Sequence, residues 1–150
     1  MLLCTKCGYR RYLKRSSKRQ GTCPLCNDML IPTDGRLRKV VESLSMSEYL
    51  IAFAMSDTYT TTGMCTAEIN IGFCEPYDNF IFSGLPKHFE FVSDRYGNQA
   101  PYALNYVLNH LGKSMSMIMF DYYGHPERHP PTDKVLKQAI NELYAWAKDI

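Results

Sequence analysis

The spacing of apolar side chains predicts two amphipathic helices, and start and stop residues predict a further helix between them. The first has an apolar stripe with i, i+3, i+4 and i+7 spacing, made by Leu37, Val40, Val41 and Leu44. The second runs from Pro101, a favoured residue at a first helical position, to Leu111, where Gly112 stops it. The third begins at Thr132 as its N-cap. Its apolar face consists of Leu136, Ala139, Ile140, Leu143, Ala147 and Ile150.

The segment after the first helix has two interpretations. Ser45-x-x-Glu48 has the form of a capping box, which predicts that another helix begins there. Because residues 50–55 are apolar on nearly every side, this helix would be buried. A strand over Leu50–Met55 would have the same composition and is the alternative.

Period-two alternation predicts strands in the middle of the chain. Between Ala67 and Phe73 every second residue is apolar, and the residues between them are Glu68, Asn70 and Gly72. We expect Phe80–Ser83 to return as the hairpin partner of this strand. Further strands are predicted at Thr58–Thr62, at Phe89–Val92 and, centrally, at Met115–Phe120.

The order of these elements predicts the fold class and the domains. Helices and strands are mixed without a regular βαβ alternation, which favours an α+β fold with a mainly antiparallel sheet. We assign residues 32–150 to this domain. Residues 1–31 form a separate cysteine module.

Four of the six cysteines form two Cys-x-x-Cys pairs separated by fifteen residues. They are Cys4, Cys7, Cys23 and Cys26. Each pair places two thiolates on one tight turn, and two such turns provide four sulfurs around one tetrahedral cation. Gly8 and Asn27 follow the pairs, and both tolerate the positive φ that directs backbone amides at the sulfurs.

The motifs Cys-x-x-Cys-Gly-Tyr and Cys-Pro-x-Cys resemble the knuckles of the zinc ribbon and rubredoxin-like families over residues 1–31. The resemblance implies a small module in transcription, translation or replication machinery. Four thiolates bind zinc or iron. Since the segment between the pairs has six basic residues and no acid, an iron-containing electron carrier is the less favoured alternative. We expect one structural Zn²⁺, which holds together a segment too short to fold unaided.

The net charge of +2 conceals a division of the chain into a basic and an acidic part. Residues 1–40 contain ten Lys/Arg and two Asp, a net charge of +8, whereas residues 41–150 contain seven Lys/Arg and thirteen Asp/Glu, a net charge of −6. This asymmetry indicates that the two parts face different partners. No apolar run reaches membrane-spanning length, and Met1–Cys4 has neither the charged region nor the apolar core of a signal peptide, so we expect no membrane partner and no secretory signal. Thiolate ligands favour a reducing compartment, so we expect an intracellular protein: cytoplasmic, nuclear or inside an infected cell.

The basic loop, residues 6–19, is the strongest functional indication after the cysteines. Lys and Arg side chains can neutralise phosphates, and a tyrosine ring can stack on an unpaired base. The predicted nucleic-acid-binding residues are Lys6, Arg10, Arg11, Tyr12, Lys14, Arg15, Lys18 and Arg19. The competing interpretation is that Tyr9, Tyr12 and Leu13 form a small core and that the charges are solvated.

We therefore predict a binding protein whose basic loop contacts nucleic acid and whose acidic domain docks on a protein partner. One alternative is a protein–protein adaptor or assembly component that binds no nucleic acid. The other is a metal-dependent nuclease, with ligands drawn from Asp57, Asp94, Asp121, His125 and His129. No phosphate-binding glycine loop and no hydrolase motif is present, and no small-molecule substrate is indicated, which favours a non-enzymatic role. The remaining cysteines, Cys65 and Cys74, are expected to be buried free thiols.

Overall fold

The computed structural model describes residues 1–12, 21–61, 63–93, 116–125 and 132–150. In these residues it contains two antiparallel sheets and two α-helices, so the predicted α+β class with a mainly antiparallel sheet is confirmed. The helix predicted at 101–111 lies outside the described residues. The same holds for Lys14, Arg15, Lys18, Arg19, Asp94 and His129.

The smaller sheet is formed by residues in and directly after the cysteine module. It consists of β1 (Leu2–Leu3), β2 (Arg10–Arg11) and β3 (Ile31–Pro32), each two residues long. β1 is central and pairs antiparallel with both neighbours. The predicted boundary between residues 31 and 32 falls inside β3 and stays a prediction.

The larger sheet consists of β4 (Ile51–Thr61), β5 (Met64–Phe73), β6 (Phe89–Ser93) and β7 (Ser116–Gly124), in the order β4-β5-β7-β6. All neighbouring strands are antiparallel. The strands predicted at 58–62, 67–73, 89–92 and 115–120 therefore overlap β4, β5, β6 and β7, and only residues 62 and 115 of these ranges lie outside the described residues. β7 lies inside the sheet, as predicted for its apolar segment.

Two helices cover one face of this sheet, which we call the inner face. α1 (Arg38–Met46) and α2 (Thr132–Ala147) pack on the apolar side chains of β5, among them Ile69, Ile71 and Phe73. The predicted stripe of Leu37, Val40, Val41 and Leu44 is fully buried. In α2 the buried residues are Leu136, Ala139, Leu143 and Ala147, whereas Ile140 is half-buried and Ile150 is exposed. No helix in the described part of the chain is long and apolar enough to cross a membrane.

The capping box predicted at Ser45 is wrong, because this segment ends a helix. The Glu48 N–H donates to the Ser45 carbonyl (3.1 Å) and the Tyr49 N–H to the Leu44 carbonyl (3.1 Å), and Glu48 has a φ of 66°. These two bonds around a left-handed residue are a Schellman motif, the common termination of an α-helix. The strand alternative for the following residues is confirmed by β4.

The hairpin partner predicted at Phe80–Ser83 is also wrong. Residues Asn79–Phe82 form a 3-10 turn, and β5 pairs with β7 instead. Phe82 is buried, and its ring centroid lies 5.1 Å from that of Phe73 and 4.5 Å from that of Phe91. The apolar run contributes Phe82 to an aromatic cluster. Its local composition is the same as that of a strand, so the sequence pattern does not distinguish the two.

The connection between the two sheets is held by a small polar network. The Asp34 N–H donates to the Ala54 carbonyl of β4 (2.7 Å), next to a parallel bridge between Thr33 and Ala54. The Asp34 carboxylate accepts hydrogen bonds from the Arg36 guanidinium (2.7 Å) and the Ser56 hydroxyl (2.7 Å). The cysteine module is thereby fixed to the outer edge of β4.

Candidate metal centre

Two knuckles with the same backbone geometry carry the four cysteines. In the first, the Gly8 N–H donates to the Cys4 carbonyl (2.9 Å), and in the second the Asn27 N–H donates to the Cys23 carbonyl (2.9 Å). Gly8 has a φ of 73° and Asn27 a φ of 61°, as predicted for the residues that complete each knuckle. The two turns therefore present their thiols in the same way.

The four sulfurs lie close together. The Sγ atoms of Cys4 and Cys26 are 3.5 Å apart, those of Cys7 and Cys23 3.4 Å, and those of Cys7 and Cys26 3.7 Å. All four lie within 4.8 Å of one another. A tetrahedral site with Zn–S bonds of about 2.3 Å requires S–S separations of roughly 3.8 Å. None of the cysteines is in a disulfide. This donor set therefore suits a single metal ion such as Zn²⁺.

Mutual proximity also shifts the ionisation of the thiols. Hydrogen bonding from the backbone at Tyr9 lowers the pKa of Cys7, but partial desolvation and the three neighbouring thiols outweigh it and raise the pKa to about 12. Desolvation raises the pKa of Cys23, but hydrogen bonds from the Leu25 and Cys26 backbone outweigh it and lower the pKa to about 7. A cation between the sulfurs would favour the thiolate form of the cysteines that bind it.

A small core supports the knuckles from behind. Leu2 and Leu30 pack against the buried Cys4 and Cys23, and Tyr9 packs against the same group. Two apolar side chains in or just after the second knuckle are exposed. Leu25 is 73% exposed and Met29 is 66% exposed. The module thus has a packed interior and two exposed apolar side chains.

The described residues of the predicted basic surface differ in their surroundings. Lys6 is exposed between the two cysteines of the first knuckle. Arg10 is exposed, and its guanidinium lies 3.9 Å from the Glu42 carboxylate of α1. Arg11 is half-buried, with its guanidinium against Gly21. Tyr12 is 77% exposed, so the alternative that places this ring in the small core is not what the structure shows.

Among the predicted nuclease residues, the structure describes Asp57, Asp121 and His125, and these three do not form a compact metal site. Asp57 and Asp121 lie in the same row of the sheet, but Glu68 stands between them, directly opposite both. We call Asp57, Glu68 and Asp121 the acidic row. Among the described residues, the only group of His, Cys, Asp or Glu close enough to hold a metal ion is the four cysteines. His125 is exposed and belongs to no such group.

The structure adds residues that the sequence pattern did not indicate. The sequence pattern identifies Glu68 only as a polar strand position, whereas the register of β4, β5 and β7 places it at the centre of the acidic row.

The two remaining cysteines differ in burial. Cys65 is buried as expected, and its thiol contacts the Gly124 carbonyl (3.1 Å). Cys74 is exposed, so its prediction as a buried thiol is wrong.

No family model, curated protein or solved structure matches this chain. The functional argument therefore depends on the residues themselves. The structure supports a possible four-cysteine metal site in an α+β protein.

Proposed function

We propose that the four cysteines bind one structural Zn²⁺ in a module similar to a zinc ribbon, and that this module binds nucleic acid. The acidic α+β domain would dock on a protein partner. The observation that carries the proposal is the concentration of positive charge in residues 6–19 of the module that bears the sulfurs, of which Lys6 and Arg10 are exposed. A thiolate-bound zinc requires a reducing environment, so the proposed location is intracellular.

Two observations support zinc. The four sulfurs are close enough to hold one metal ion, and the segment between the two cysteine pairs is basic and contains no acid. A structural zinc site is closed by four protein ligands, which matches the four knuckle thiols. An iron-containing electron carrier is the competing assignment, since iron accepts the same ligands. Elemental analysis of the purified protein tests the choice. One zinc per chain in a colourless preparation supports it, and a coloured iron protein rejects it.

Nucleic acid is the proposed ligand because a rigid cationic module suits a phosphate backbone. Lys6 and Arg10 are both exposed, and no carboxylate occurs in residues 6–19. Contacts between such cations and phosphates release counterions, which provides much of the free energy of non-specific binding. The acidic row, on the larger sheet, would repel the same backbone. We therefore expect the nucleic acid to contact the module only.

A titration by fluorescence anisotropy tests this proposal. Zinc-loaded wild-type protein is added to labelled DNA and RNA at several salt concentrations. The variant Lys6→Ala/Arg10→Ala removes two cations from the module, whereas Lys134→Ala/Lys137→Ala removes two exposed cations from α2. We expect the first variant to bind more weakly and to lower the salt slope by about 1.4 to 1.8, and the second to resemble wild type.

Two results would count against nucleic-acid binding. The first is no binding by wild-type protein even at low salt. The second is an equal loss of affinity in the module variant and in the α2 variant, since this would indicate a response to net charge only. Zinc content and circular dichroism must match wild type in both variants.

The proposed protein-docking surface is the part of the larger sheet that carries the acidic row. Tyr59 is 42% exposed and Tyr123 is 60% exposed on the same strands, and exposed tyrosines beside carboxylates suit a basic protein segment. The test is affinity purification from the native source after nuclease treatment. A partner retained by wild type but lost by Asp57→Asn/Glu68→Gln/Asp121→Asn supports docking at this row. A partner retained by both proteins places docking elsewhere.

A second candidate function is a protein adaptor in which the cysteine module itself grips a partner. The exposed Leu25 and Met29 favour it, because exposed apolar side chains suit a protein interface. Arg10 beside Glu42 also shows that carboxylates can satisfy the charges of the module. This function predicts that Leu25→Ser/Met29→Ser abolishes partner capture, with no measurable nucleic-acid affinity in wild type.

A further inference from the structure

We propose that the nucleic acid bound by the module is single-stranded and that one of its bases stacks on Tyr12. This inference rests on the proposed nucleic-acid-binding function and specifies its substrate class. The starting point is that the structure separates two tyrosines which the sequence presents alike. Tyr9 packs against the core behind the knuckles, whereas Tyr12 is 77% exposed.

The ring of Tyr12 takes no part in the small core formed by the described residues of the module. A tyrosine ring presents a large apolar surface that usually packs when a core is near. Here the core contains Leu2, Leu30 and the cysteines, with Tyr9 packed against them, and does not include Tyr12. The ring of Tyr12 therefore remains available for an external partner.

The neighbours of Tyr12 indicate what that partner is. Arg10 is exposed, 3.9 Å from the Glu42 carboxylate, and stands two residues before Tyr12, which directly follows β2. If the chain stays extended for one more residue, this spacing places both side chains on the same side. A cation beside an exposed aromatic ring is the arrangement with which proteins bind single strands: the cation contacts a phosphate and the ring stacks on a base. Stacking accepts every base, so little sequence preference is expected.

A duplex fits this surface less well. Its bases are already stacked on one another, so a duplex would leave the Tyr12 ring in water. Reading of the major groove generally requires an inserted helix or a two-stranded ribbon. Residues 1–12 and 21–34 contain turns and strands of only two residues, and no helix. Phosphate contact alone would then hold a duplex, without any contribution from Tyr12.

The test compares single-stranded DNA, single-stranded RNA and a DNA duplex, each of about twelve nucleotides per strand, within the range of known single-strand site sizes. Affinities are measured by anisotropy at one salt concentration. Tyr12→Ala is expected to weaken single-strand binding roughly 5- to 150-fold, the range for loss of one stacking contact. Tyr12→Phe keeps the ring and is expected to stay within about twofold of wild type. Phe80→Ala removes an aromatic ring that is 75% exposed outside both the module and the proposed docking surface, and it is the matched control.

The outcomes separate this inference from the proposed function. Tighter binding of both single strands than of the duplex, with loss in Tyr12→Ala only, supports the inference. Equal affinity for single strand and duplex, or an unchanged affinity in Tyr12→Ala, overturns it while nucleic-acid binding stands. No binding of any probe at low salt overturns the proposed function and the inference with it. The zinc content of each variant shows whether the module is intact.

Discussion

Leu2 and Leu3 are neighbours in β1, yet their side chains pack in different cores. Leu2 lies behind the knuckles with Cys4 and Cys23, whereas Leu3 joins the main core beneath the larger sheet. Both side chains are fully buried. Two residues of one short strand thus connect the metal centre to the α+β domain. Formation of the metal site and folding of the sheet should therefore be coupled.

Truncation of each leucine to alanine should separate support of the metal site, by Leu2, from packing in the main core, by Leu3. Leu2→Ala is expected to weaken zinc affinity more, because it leaves a cavity directly behind the cysteines. Leu3→Ala is expected to lower the free energy of unfolding by about 2 to 5 kcal/mol, as for other buried leucines. Zinc competition with a chromogenic chelator and denaturant unfolding measure the two effects. Equal loss of zinc affinity in both variants would show that the small core has no local role.

Replacement of a knuckle cysteine should remove the metal. Cys7→Ala leaves three thiols and is expected to reduce bound zinc well below one per chain and to lower the melting temperature, since binding free energy of a structural zinc is folding free energy. Cys74→Ala is the matched control, because this thiol is also exposed but lies outside the cluster. It should retain zinc and stability. Loss of zinc in Cys74→Ala would contradict the assignment of the ligands.

Gly72 is expected to be intolerant of any side chain. It faces Phe53 across β4 and β5, and a Cβ at this position would overlap the phenyl ring. Gly72→Ala should therefore destabilise the fold by about 1 to 3 kcal/mol, the cost of overpacking a core. Gly35→Ala is the control, because a Cβ there meets no atom within 4 Å. Phe53→Leu combined with Gly72→Ala should recover part of the loss. Equal unfolding free energies for the two single variants would argue against this close approach.

Patterns of neighbouring residues predicted the elements whose conformation depends mainly on residues close in sequence. The stripe at 37–44 specified α1, because one buried face is enough to define a helix. The alternation between Ala67 and Phe73 specified β5 for the same reason. The cysteine spacing predicted the cluster of four sulfurs, and the identities of Gly8 and Asn27 predicted the turn conformation.

The errors occurred where distant residues decide the outcome. Ser45-x-x-Glu48 has the sequence of a capping box, which begins a helix. In the structure, the backbone hydrogen bond of Glu48 instead terminates α1 at its C-terminal end. Phe80–Ser83 is apolar because Phe82 fills an aromatic cluster, which only the three-dimensional packing reveals. The acidic row depends on the register of three strands, two of them separated by more than forty residues. No local pattern contains that register.

Asp34→Asn should destabilise the protein at neutral pH. Partial burial raises the pKa of Asp34, but hydrogen bonds from Arg36 and Ser56 outweigh it and hold the pKa below its usual value. A carboxyl with a lowered pKa contributes stability above its unfolded pKa, near 4, and this contribution is lost as the pH falls through the folded value. We expect Asp34→Asn to cost about 1 to 2 kcal/mol at pH 7. The difference from wild type, measured by denaturant unfolding, should shrink in acid. A difference that does not change with pH would show that the charge of Asp34 is irrelevant.

Asp121→Asn should have the opposite effect and raise the free energy of unfolding at neutral pH. Partial burial and the negative charges of Glu68 and Glu90 raise the pKa of Asp121, so its ionisation costs the folded state more than the unfolded chain. The penalty is absent below the unfolded pKa, near 4, and develops as the pH rises through the raised folded value. Asp121→Asn should therefore stabilise the protein at pH 7, by about 0.5 kcal/mol, since like charges opposite each other in a sheet repel only weakly when exposed. Because acid also releases zinc from thiolates, the measured quantity is the difference between variant and wild type at each pH. Asp149→Asn, at an exposed position just after α2, should change nothing. An Asp121→Asn protein less stable than wild type at pH 7 would show that the carboxylate of the acidic row is a favourable contact and not a repulsive one.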